Sequence, residues 1–134
     1  MAQISVWYVR AALLHFALGA TVGAWALAAT GGLVPPVPLP ARPLHVEGML
    51  VGWMCQLTVG VALWIFPFSG AVSADRRVWV AWGLLNGGVG LAVGGQWMEV
   101  PLLTMVGRGS EMGAALLLLW ALWPRLQPLP TRGH

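Results

Sequence analysis

Lysine is absent from this 134-residue chain, and acidic residues number only four. Charged residues make up 8% of it, against about 25% in an average soluble domain. Seven arginines give a net charge of +3, but they are scattered between apolar runs rather than clustered. That distribution excludes a nucleic-acid-binding module, which needs a basic patch. A single cysteine, Cys55, excludes a disulfide framework, and 58% apolar residues exclude disorder. No nucleophile–base pair, phosphate loop or carboxylate dyad is present. Long hydrophobic runs are what the chain has instead.

These runs form four stretches at 6–29, 43–68, 78–95 and 101–123, each close to the roughly 20 residues that cross a bilayer. The fourth carries Arg108 and Glu111. The first is too long for a signal-peptide core and reads as retained. The expectation is an all-α integral membrane four-helix bundle forming one domain over 1–134. Short connections make its helices antiparallel neighbours. Gly31 to Pro43 holds five of the ten prolines and reads as an extended loop, while Ser69 to Arg77 is the polar link. Arg10, Arg76, Arg77, Arg125 and Arg132 fall on one side, against Arg42 and Arg108 on the other. The positive-inside rule then puts both termini in the cytoplasm, for a multi-pass protein of the inner membrane. Trp7, Tyr8, Trp64, Trp79, Trp82, Trp120 and Trp123 make an inner aromatic belt, with Trp25 and Trp97 marking the outer one.

Ionisable groups inside spans are costly and are therefore functional candidates. His45 and Glu47 open the second span, and His15 lies well inside the first. Thr58 and Asn86 share the depth of His15, with Gln56 one layer higher; polar residues so placed hydrogen-bond between helices. On the second span His45, Gly48, Gly52, Gln56 and Gly60 form one stripe, as do His15, Gly19 and Gly23 on the first. The third span carries Gly83, Gly87, Gly90 and Gly94. Glycine stripes are a close-packing signal in membranes. A histidine heading such a stripe also fits a haem slot, because a porphyrin needs side chains removed beside its ligand. Zinc is disfavoured, since a closed site wants four Cys or His ligands and these lie at different depths. Cys55 reads as a small buried hydrophobe, Met49 and Trp53 read as packing, and His134 has no assigned role.

The second span, from His45 through Gly52 and Gly60 to Trp64 and Pro67, resembles the second transmembrane helix of the heme–copper oxidase catalytic subunit. That family contains the cytochrome c oxidases and nitric oxide reductases. The first span, Tyr8 and Arg10 through Gly19, is similar to the family's first helix. The third, with Arg77, Trp79, Asn86 and Gly87, resembles the third more loosely. The resemblance implies His45 as an axial ligand of haem b near the outer surface. The family's other haem and metal ligands come from later helices, so reduction of oxygen or nitric oxide is not implied. The oxidase subunit is built as three four-helix units, which implies self-association here as a trimer or dimer.

The resulting expectation is a membrane haem b protein that carries electrons or binds O2 or NO. Its metal ligands are His45 and, second, His15, with Gly48 and Gly52 beside the haem and Arg42 and Arg108 on its propionates. Arg108 has the alternative of pairing with Glu111 one turn away. By helical rise His15 lies roughly 15–20 Å deeper than His45, too far to share one iron. Two alternatives remain open: a non-redox accessory or assembly subunit, and a small proton or ion transporter using a His15–Asn86 layer. The orientation is directly testable. A reporter fused to the C-terminus is expected to be active only in the cytoplasm, and activity confined to the periplasm overturns the assignment.

Overall fold

The computed structural model describes residues 3–37, 41–65 and 75–123. Helix α1 runs Gln3–Thr30 and α2 runs Ala41–Glu47. A π-helical segment, Gly48–Cys55, follows, then α3 (Gln56–Ile65), α4 (Arg76–Trp97) and α5 (Pro101–Leu122). The architecture is all-α, with no strand among the described residues. The α2, π and α3 pieces join into one second span, Ala41–Ile65. With α1, α4 and α5 it makes four helices long and apolar enough to cross a membrane.

The span ends differ from the sequence expectation by a few residues, for identifiable reasons. The second span starts at Ala41, so Arg42 and Pro43 are helical rather than loop. Pro43 falls in the first turn, where a missing N–H costs no intrahelical bond. Residues 66–68, expected at the end of this span, lie outside the described residues. Helix α4 starts at Arg76 because Asp75 caps it, accepting a hydrogen bond from the Arg77 N–H at 3.0 Å. Helix α5 begins on Pro101, a position whose fixed φ suits a first turn.

Two glycine contacts set the packing. Along α1, His15, Gly19 and Gly23 meet Gly52, Gly48 and His45 in that order, so the partners are met in reverse sequence. Further along, Gly60 meets Tyr8 and Val9, and the Ser5 hydroxyl donates to the Gly60 carbonyl at 2.7 Å. The second contact joins α4 to α5. A Cβ on Gly107 would lie 2.5 Å from the Ala92 nitrogen, and one on Gly95 would lie 2.5 Å from that of Thr104. Both pairs of helices therefore touch backbone to backbone.

An apolar core closes one end of the bundle. Ile4 and Tyr8 from α1, Leu63 from α3, Val78 and Leu85 from α4, and Leu118 from α5 are all buried there. Tyr8 is fully buried and donates its hydroxyl to the Val78 carbonyl at 3.1 Å, so it belongs to the core and not to an aromatic belt. Trp82 packs edge-on against both Trp7 and Trp79. Outward-facing Leu14, Leu27, Leu102 and Met105 are exposed, as a hydrocarbon solvent permits.

The glycines expected to pack on the third span are on the wrong face. Cβ atoms on Gly83, Gly87 or Gly90 would meet nothing within 4 Å, whereas Gly88 and Gly95 hold the α5 contact. Gly107→Leu should therefore destabilise the protein by about 1–3 kcal/mol through overpacking, read from unfolding in detergent. Gly87→Leu should change stability by less than about 0.5 kcal/mol. Equal costs at the two positions would refute this choice of packing face.

Candidate functional site

Both histidines sit in the seam between α1 and the second span, each over a glycine of the facing helix. The His45 ring occupies the space a Cβ on Gly23 would take, and the His15 ring does the same at Gly52. His45 Nδ1 lies 2.9 Å from the Gly19 carbonyl, and His15 Nδ1 lies 2.9 Å from the Ala11 carbonyl. A carbonyl only accepts, so Nδ1 is the protonated nitrogen in each ring. In a neutral imidazole the lone pair is then on Nε2. Among the described residues neither Nε2 has a hydrogen-bond partner.

The same packing removes the slot expected beside Gly48 and Gly52. Gly48 is covered by Gly19 and the His15 carbonyl, and Gly52 by the His15 ring. Since His45 stacks over Gly23, eight residues beyond His15 on α1, the two imidazoles are about 12 Å apart along the axis. That is less than residue counting from the helix ends suggests. It still keeps them at two separate positions. No group of three or more His, Cys, Asp or Glu side chains converges among the described residues.

Arg108 does not stand free for a propionate. It forks onto Glu47, with Nη2 to Oε1 and Nη1 to Oε2 both 2.6 Å, and reaches Glu111 Oε2 at 3.3 Å. Glu47, buried in the second span, is thus tied to α5 across 61 residues of sequence. The sequence shows the Glu111 contact through its one-turn spacing. The stronger Glu47 pairing has only one signal, a carboxylate and a guanidinium both placed inside spans. Arg42 is exposed and makes no ion pair among the described residues. It lies three positions before His45 on α2, hence on the same helical face.

A third polar feature lies deeper. Gln56 and Asn86 exchange side-chain hydrogen bonds at 3.2 and 3.1 Å, as polar residues at neighbouring depths do between spans. Asn86 adds a bond to the Trp82 carbonyl at 2.8 Å. Thr58 does not join them; its hydroxyl turns back to the Met54 carbonyl at 2.8 Å on an exposed face. His15 bonds within its own helix and makes no hydrogen bond to Asn86 among the described residues. Cys55 is exposed rather than buried. Met49 packs on Gly19 and Trp53 on Phe16. His134 lies outside the described residues.

No protein family, curated protein or solved structure matches the chain. The oxidase resemblance therefore rests on the residues themselves.

The amide pair gives a clean test of the interhelical register. Gln56→Leu and Asn86→Leu should each destabilise the protein, because each strands the other amide in an apolar environment. The double variant should recover part of the loss, with a coupling of about 1 kcal/mol in a double-mutant unfolding cycle. Additive costs would contradict the pairing.

Proposed function

We propose that the chain is a haem b-binding protein of the inner membrane, acting in electron transfer or in binding O2 or NO. His45 is its axial ligand. In this reading the bundle is antiparallel with both termini cytoplasmic, which places His45 near the outer surface. The observation that carries the proposal is the His45 imidazole held by its Nδ1–H on the Gly19 carbonyl. Metal-ligating histidines characteristically donate their second ring nitrogen in this way, which fixes the tautomer and aims Nε2 at the metal. The resemblance of the span from His45 to Pro67 to the oxidase helix supports the same residue.

The donor set fits an imidazole-ligated haem, whose iron would supply one-electron or gas-binding chemistry when bound. His15, anchored in the same manner, stands too far from His45 to complete the same iron. A second protein ligand, if the group took one, would have to come from another copy of the chain. Because imidazoles fill the spaces at Gly23 and Gly52, the porphyrin has no room inside the seam. A porphyrin held by His45 would have to sit outside the seam, where a second copy of the chain would be needed to enclose it. Arg42, one turn from His45, is the propionate partner in this reading, and Arg108 is spoken for by Glu47.

Absorption spectra of the purified protein, oxidised and then dithionite-reduced, test the proposal. A Soret band that sharpens on reduction is expected, and a colourless preparation without extractable haem sinks it. His45→Ala should lose the haem while still inserting, since four apolar spans drive insertion. His15→Ala should keep the haem. Loss in the His15 variant with retention in the His45 variant would reverse the ligand assignment.

A further inference from the structure

Two carboxylates and one guanidinium meet where α2, α4 and α5 pack, and their charges do not balance. Arg108 gives both arms of its fork to Glu47 at 2.6 Å, the geometry of a bidentate, charge-assisted pair. Glu111 receives one long contact of 3.3 Å on Oε2. Its Oε1 is buried and has no hydrogen-bond partner. The Glu111 side chain is 11% exposed and Glu47 5%, whereas Arg108 is 49% exposed. On helix α4, Gly88 faces the Glu111 Cγ, and the arginines of that helix lie in its first turn. On α2 the other ionisable groups are His45, held at the Gly19 carbonyl, and exposed Arg42.

One cation cannot neutralise two acids, and an unpaired charge in an apolar setting is relieved by neutralisation. We propose that Glu111 is a proton-binding site within the membrane span, holding one exchangeable proton, while Arg108 gives its fork to Glu47. The proton turns the unsatisfied Glu111 oxygen from an acceptor into a donor. The Glu47 carboxylate beside it is the acceptor at hand. Arg108 reaches from this buried pair to the exposed surface, so the site has one charged side chain linking it to the membrane exterior of the bundle.

Infrared spectroscopy of the full chain in lipid vesicles near neutral pH reads this directly, with or without cofactor. Only four side-chain carboxyls exist, Glu47, Asp75, Glu99 and Glu111, so assignment by substitution is tractable. The wild type should show a carboxylic-acid C=O band that shifts in D2O. Glu111→Asp should move that band and Glu111→Gln should abolish it, while Glu47→Asp should retain a Glu111 acid band. Arg108→Gln removes the cation and should add a second acid band. Absence of an acid band in the wild type, a band that survives Glu111→Gln, or an unaltered spectrum in Arg108→Gln would each overturn the proposal. None of these outcomes bears on whether His45 holds haem.

Discussion

The backbone contact between α1 and the second span is the constraint on which the other sites depend. Lipid tails are as apolar as the helix faces, so helices in a membrane gain by dispersion and hydrogen bonding rather than by leaving water. Four absent side chains, at Gly19, Gly23, Gly48 and Gly52, let the two backbones approach. That approach brings the Gly19 carbonyl within reach of His45 and gives each imidazole a flat floor. A methyl group at Gly23 or Gly52 would displace a histidine before it disturbed anything else.

The second span is tied to α4 and α5 differently. Glu47 reaches Arg108 on α5 and Gln56 reaches Asn86 on α4. Buried polar contacts of this kind add modest stability but leave large penalties when one partner is lost. They suit the fixing of register. The apolar core at the other end, around Ile4, Leu63 and Leu118, supplies packing without specifying which residues must face. The ends of the bundle thus divide the work between fit and recognition.

The four spans are legible in the sequence because hydrophobic length is a strong signal, and their ends shift by only a few residues, two of them where Asp75 caps a helix and where Pro43 falls in a first turn. The α1 stripe of His15, Gly19 and Gly23 is legible for the same reason, since a period near 3.6 marks one face. The α4 stripe misleads because glycine carries no sign of which face is packed. Gly83, Gly87 and Gly90 have the right spacing, yet Gly88 and Gly95 meet α5. Tyr8 and Cys55 are misread because an amphipathic or small residue suits either environment. The Glu47–Arg108 pair is hidden because it joins residues 61 positions apart and depends on how the hairpins lean together.

The π-helical segment between α2 and α3 has a consequence for how this span tolerates change. Gly48, Gly52, Gln56 and Gly60 recur every four residues, a longer period than the α-helical 3.6. An unbroken α-helix would carry the last of them about a third of a turn away from the first. The wider i→i+5 turns over Gly48–Cys55 take up that drift. The angular phase of α2, with His45 and Glu47, is thereby uncoupled from that of α3, with Gln56 and Gly60. In an ordinary helix, a one-residue insertion or deletion swings everything downstream by about 100°. Here a one-residue change within the segment would interconvert π and α turns, and so would re-phase the half bearing His45 and Glu47 against the half bearing Gln56 and Gly60.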